Sequence, residues 1–225
     1  MLLIVDIETN GKDSIVEIGA YKIDPITMAI DSQFHRYYYP KNKEYNWHAV
    51  AKTGLYPKVL YENINKQVAD HNKSGNKNKY PYYFESDKEW QIFVNNVTGV
   101  VAHNISYEDR FLTLPTSNYL CTMKANKKDV SATDKNGSLK NPNLKETTIH
   151  YGIKFDDDSY HSAMYDVTVT LEILKSMKKN NHHSLSDFLT KAIRSNQTKQ
   201  ISLFEEENGK YDKREETITD NDIGR

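Results

Sequence analysis

Apolar and polar positions fall into distinct blocks along the chain. Residues 2–8, LLIVDIE, form a continuous apolar run that ends in acids, the pattern of a buried central strand. A turn-rich stretch, TNGKDS (9–14), separates it from a second apolar run, IVEIGAYKID (15–24). A third, MAIDSQFHRYYYP (28–40), is closed by Pro40. Three strands joined by short turns predict an antiparallel meander. Residues 41–70 change to helical spacing, broken at Gly54 and Pro57, and 71–81 is a polar Gly/Asn/Lys loop. ESDKEWQIFVNNV (85–97) predicts a helix capped by Ser86, with Trp90, Phe93, Val94 and Val97 on its buried side. GVVAH (99–103) predicts a short buried strand, ISYEDRFLTL (105–114) a helix ended by Pro115, and NYLCTM (118–123) a further strand. LKETTIHYGI (144–153) predicts a short helix and residues 162–179 a strong amphipathic one. The order predicts an α/β fold, a mixed sheet with helices packed on it. Beyond about residue 195 hydrophobicity collapses, so the expected organisation is a domain over 1–180, a helical extension over 181–195 and a flexible tail over 196–225.

Composition narrows the function classes. The net charge is −1, so no global basic field marks a nucleic-acid or membrane partner. A single cysteine, Cys121, precludes an internal disulfide and fits a reducing compartment. No apolar run approaches the ~20 residues of a membrane span, and the N-terminus lacks a signal-peptide pattern. The expectation is a soluble, cytoplasmic protein without membrane contact.

The carboxylates carry the chemistry. Asp6 and Glu8 lie two apart on a strand and so point to one face, at the end of an otherwise buried run. Converging carboxylates repel, and a hard divalent cation relieves that repulsion. Asp166 sits beside the buried stripe Ala163, Val167, Thr170, Leu171 and Leu174 of the long helix, where an acid needs a partner. His161 precedes it by five, about 140° away on a helix, which places His161 on the preceding loop. A histidine there accepts a proton near neutral pH.

In order and spacing, DIETNG (6–11), AHNISYEDRFL (102–112) and HSAMYD (161–166) resemble the three motifs of the DnaQ-like, or DEDDh, 3′–5′ exonucleases. IVEIGAYKID, WHAVAKTGL and LKETTIHYGI resemble further family segments, and the resemblance spans roughly residues 1–178. It implies a ribonuclease-H-like mixed five-stranded sheet, three antiparallel strands followed by parallel ones. It implies two Mg²⁺ or Mn²⁺ ions held by Asp6, Glu8, Asp166 and an acid of the second motif, with His161 as general base. It also sets Thr9, Asn10, Gly11, His103 and Asn104 beside the terminal nucleotide. The second-motif acid stays open: register after His103-Asn104 selects Glu108, whereas the family's preference for aspartate leans to Asp109.

The substrate that the resemblance implies is a single-stranded 3′ end of DNA, cleaved to nucleoside monophosphates. The alternatives are a catalytically weak adaptor that binds nucleic-acid ends and an RNase of the same fold. Lysines 124, 127, 128, 135, 140 and 145 offer phosphate-neutralising charge, or a solvated loop. In the tail, Gln200, Ile201, Ser202, Leu203 and Phe204 resemble the peptide by which bacterial replication proteins bind the β sliding clamp. That makes the clamp, and a separate polymerase chain, the expected partners.

Overall fold

The computed structural model describes residues 1–12, 14–195 and 197. The clamp-like peptide at 200–204 therefore lies outside the described residues. Strands β1 (Leu2–Thr9), β2 (Ile15–Ile23), β3 (Ile30–Tyr37), β4 (Gly99–Ala102) and β5 (Tyr119–Cys121) form one sheet in the order β3-β2-β1-β4-β5. The first three are antiparallel, and β4 and β5 run parallel to β1. This is the mixed sheet that the sequence predicts.

Strand β1 is central and its two faces divide the core. Leu3, Val5 and Ile7 pack against Trp90, Val94 and Ile105 on one side. Leu2 and Ile4 pack on the other against Val167, Leu171 and Leu174 of a long helix, α8 (Ala163–Lys179). Each fully buried Leu or Ile contributes roughly 1.5–3 kcal/mol. Asp6 and Glu8 continue the Leu2–Ile4 face toward the strand's C-terminal end, so they emerge where the start of α8 crosses the sheet.

Gly19 makes that crossing close. It pairs with Asp6 across the β1–β2 ladder, and a Cβ at Gly19 would lie 2.6 Å from the Ala163 backbone. Only hydrogen fits between the strand and the first turn of α8.

Between β3 and β4 lie α1 (Trp47–Thr53), α2 (Pro57–Lys73) and α3 (Lys88–Phe93). The helix expected over 85–97 is shorter than predicted, and its N-cap is Asp87 rather than Ser86. The Asp87 carboxylate accepts from the Glu89 and Trp90 amides, while a 3₁₀ turn occupies 84–86. The polar loop expected over 71–81 begins after Lys73 and ends on a buried Tyr80. After β4, α4 (Ile105–Glu108) lasts one turn instead of reaching 114. The segment after β5 contains α5 (Thr122–Ala125) and α6 (Lys127–Val130), and α7 (Leu144–His150) follows with an Asn143–Glu146 capping box. A last helix, α9 (183–195), buries Leu185, Phe188 and Ala192 in the core beneath α8. Among the described residues no helix is long and apolar enough to cross a membrane.

Candidate active site

The carboxylates of Asp6, Glu8, Glu108 and Asp166 line one cavity of about 280 Å³, together with Lys52, Tyr107, Tyr160 and His161. Three separate segments meet there: the C-terminal end of β1, the single turn of α4 after β4, and the first turn of α8. Parallel pairing of β1 with β4 brings the first two side by side, and Gly19 admits the third.

Register decides between the adjacent acids of the second motif. Glu108 is 3 % exposed and lines the cavity, whereas Asp109 points to solvent and accepts a hydrogen bond from the Tyr119 hydroxyl at 3.1 Å. Successive helical residues diverge by about 100°, so α4 presents only one of them. Of the two acids that the sequence leaves open, the cavity is lined by Glu108.

Burial dominates the electrostatics. It raises the Asp6 and Glu8 carboxyls well above their ordinary range, and the neighbouring acids raise them further. Glu108 is pushed up to about 8 by burial. Asp166 is pushed up to about 7 by burial and then by Glu17. Four acids share a single lysine, Lys52, which offsets only part of their mutual repulsion. Two of their oxygens, Glu108 Oε2 and Asp166 Oδ1, are buried without any hydrogen-bond partner. A buried acceptor of this kind costs stability unless something fills the site. An all-oxygen donor set suits hard divalent cations, and the residues present fit such ions.

His161 lies just outside α8, with φ at 68°, stacked on the Tyr160 ring at 3.8 Å between centroids. Its Nδ1 is 3.8 Å from Glu8 Oε1. Burial, and then the Lys52 ammonium, lower its pKa, which keeps the imidazole neutral and able to take a proton.

The remaining expected residues form the frame. Thr9 Oγ1 donates to the Gly11 carbonyl and so accepts from the Tyr107 hydroxyl at 2.5 Å, tying β1 to α4. The Asn10 side chain is spent on Glu44 and Asn46: its Nδ2 donates to the Glu44 carbonyl and its Oδ1 accepts from the Asn46 amide, each at 2.8 Å. Gly11 has φ at 76°, and a Cβ there would meet the Asn46 side chain at 2.6 Å. These three hold the rim without lining the cavity. His103 does line it, but both ring nitrogens are engaged. Nδ1 accepts from the Thr122 hydroxyl at 2.9 Å, and Nε2 donates to the Pro142 carbonyl at 3.2 Å. Burial lowers its pKa to about 4, so it is a neutral crosslink. Asn104 occupies the N-cap position of α4 without a side-chain capping bond and borders the cavity.

Sequence reasoning missed Lys52, Tyr107, Gly19 and Glu17. Glu17 sits opposite Glu8 on β2, 1 % exposed, and accepts from His35 Nε2 at 2.9 Å and from Ser162 Oγ at 3.3 Å. It thereby anchors the N-cap of α8, next to His161. Its signal was present: an acid inside the apolar run IVEIGA.

The family model for exonucleases of the RNase T type matches residues 3–174. The chain belongs to that family. The fold agrees with that of several solved exonucleases. Exonuclease X, solved with 5′-overhanging duplex DNA, superposes with a TM-score of 0.52 at 19 % identity, covering 84 % of this chain and 99 % of that one. Escherichia coli exonuclease I, solved with a dA16 oligonucleotide, gives 0.53 at 16 % identity over 79 % of this chain and 40 % of that one. A 3′-exonuclease from a study of 3′-end-specific recognition of the histone mRNA stem-loop gives 0.50 at 13 % identity, covering 80 % and 82 %. At these identities the likeness is one of fold. A search of curated protein sequences finds no significant match.

Proposed function

We propose that this exonuclease acts on unpaired 3′ ends of DNA and releases nucleoside monophosphates in a reaction that depends on Mg²⁺ or Mn²⁺. One observation carries the reading: four carboxylates from three distant segments line one cavity beside a neutral histidine, and two of their buried oxygens have no partner. Asp6, Glu8, Glu108 and Asp166 would hold the cations. Bound there, divalent cations would supply charge neutralisation at the phosphate and lower the pKa of a water.

The chain's own groups do the rest. His161 receives the water's proton. Tyr160 stacks on the imidazole and limits its rotation, and Glu17 fixes the turn that carries it through Ser162. Thr9, Asn10 and Gly11 hold the rim against which the terminal nucleotide rests, with His103 and Asn104 closing the α4 side. Lys52 adds the cavity's cation and offsets part of the charge on Glu8 and Asp166. The preference for DNA is supported by Gln200–Phe204, whose likeness to a clamp-binding peptide would recruit the enzyme to bacterial replication. Loss of β-clamp binding on Leu203→Ala with Phe204→Ala tests that part.

The enzymatic reading is tested by digesting 5′-labelled single-stranded DNA, duplex DNA and RNA side by side with each metal. A ladder shortening stepwise from the 3′ end of the single-stranded DNA, absent with EDTA and with Asp6→Ala, supports it. A folded protein that degrades nothing with either metal leaves the adaptor reading in its place.

A further inference from the structure

A second and larger cavity, about 820 Å³, opens between α5–α6, the C-terminal ends of α7 and α8, and the start of α9. Its lining is cationic. Lys124, Lys127 and Lys128 face it with three histidines, and two of these lie against acids: His182 Nε2 is 2.9 Å from Asp129, the one acid of the lining, and His183 Nδ1 is 3.1 Å from Asp187. In a chain with 30 basic and 31 acidic residues this is a local concentration and not an average.

The six lysines of 124–145 separate by context. Lys140 is neutralised by Glu146 at 2.6 Å and Lys145 by Asp157 at 2.7 Å, while Lys135 is exposed and lines neither this cavity nor the acid pocket. Lys127 and Lys128 have no ion pair among the described residues. Lys124 reaches the Ser106 hydroxyl on α4 at 3.2 Å, beside Tyr107 and Glu108 of the acid pocket.

The cleft is rigidly backed. Asn126, fully buried between the two lysine-bearing turns, donates to the Thr122 carbonyl and accepts from the Tyr151 hydroxyl at 2.5 Å. The cleft and the acid pocket lie back to back on one short helix. Met123 lines the pocket, and Lys124, the next residue, lines the cleft. Adjacent Cα atoms are ~3.8 Å apart, so α5 is the wall that both cavities share. The histidines do not converge as metal ligands do among the described residues. Unpaired lysines in an open groove match a series of phosphates instead.

We infer that the α5–α6 cleft binds the sugar–phosphate backbone of a single-stranded nucleic acid whose 3′ end occupies the acid pocket. This rests on the exonuclease reading and adds a length requirement to it. Short substrates reach only the pocket, whereas longer ones gain the cleft.

The test pairs two substrates with one double variant, Lys127→Gln with Lys128→Gln, and a control that removes a lysine outside both cavities, Lys135→Gln. With a single-stranded 12-mer the double variant should raise KM about tenfold at low salt, with kcat unchanged. The salt dependence of log KM should flatten by about 1.4, from two phosphate contacts at ~0.7 each for single strands. Turnover of thymidine 5′-(4-nitrophenyl) phosphate, which fills only the pocket, should not change, and Lys135→Gln should resemble the wild type throughout. An unchanged 12-mer KM, or an equal rise in the control, overturns the inference. Should the wild type hydrolyse neither substrate, the exonuclease reading fails. Fluorescence anisotropy of a labelled 12-mer in EDTA then decides the cleft alone: weaker binding by the double variant only supports it, and equal binding overturns it.

Discussion

The two cavities on either side of α5 are opposites in construction. The acid pocket places four carboxylates at the junction of β1, α4 and α8, three of them less than a tenth exposed. The cleft places its lysines on half-buried or exposed turns, with their charges in water. Charge repulsion in the pocket is strong because burial removes solvent screening, and it is held in place by rigid elements that cannot move apart. Charge in the cleft is screened and tunable by salt. On the proposed readings, the pocket would take a tightly defined inorganic partner and the cleft a loosely defined polymer. Substitutions in the pocket should change rate, and those in the cleft should change apparent affinity.

The largest effect that sharpens this contrast is expected at His161. If His161 is the proton acceptor, His161→Asn removes it and leaves all four acids, so kcat should fall by about 10²–10⁴-fold. Stabilisation of the protein by Mn²⁺ in a thermal melt should persist. A variant that loses metal stabilisation along with activity would place His161 among the ligands instead.

Next is Gly19→Ala, which tests whether the close approach of α8 assembles the pocket. The added methyl must displace the Ala163 backbone from 2.6 Å, at a cost of about 1–3 kcal/mol in urea denaturation. Activity should drop with it, because Asp166 and His161 travel with that turn. Full activity at unchanged stability would mean that the helix tolerates a shift.

The smallest effect is a pH dependence. Glu108 and Asp166 are raised to about 8 and about 7 in the folded metal-free protein, so the folded state holds protons that the unfolded chain has released. Their contribution to stability is complete below the ordinary carboxyl range near pH 4. It is lost as pH rises through 7 and 8. Cations replace those protons, so the increase in melting temperature on adding Mg²⁺ should be larger at pH 8 than at pH 5.5. An increase that is equal at both values would show that the carboxylates are not the binding groups.

Much of this site was legible in the chain, for identifiable reasons. Asp6 and Glu8 stood out because acids ended a run that otherwise reads as buried, and Asp166 because it flanked an apolar helical stripe. The offset of five residues put His161 off the helix, and α8 does begin after it, with Ser162 at the N-cap position and its hydroxyl turned to Glu17. The adjacent pair Glu108–Asp109 was not legible, since a one-residue change in helix phase exchanges pocket and solvent, and α4 is too short to show a periodicity. Lys52 was hidden because α1 gives no sequence cue to which side faces the cavity. Gly19 was hidden because its requirement comes from Ala163, 144 positions away in the chain. Ser86 and Asp87 are neighbouring residues of equal capping ability, and only the hydrogen bonds to Glu89 and Trp90 distinguish them.

The most direct measurement compares Glu108→Gln and Asp109→Asn with the wild type in 3′-end digestion of single-stranded DNA with Mg²⁺ or Mn²⁺. If Glu108 completes the four-carboxylate set, Glu108→Gln should lose more than about a hundredfold in rate, since even outer partners of a metal site cost 10–100-fold. Asp109→Asn should stay close to wild type. Deep loss in Asp109→Asn with activity retained in Glu108→Gln would contradict the register and the site built on it.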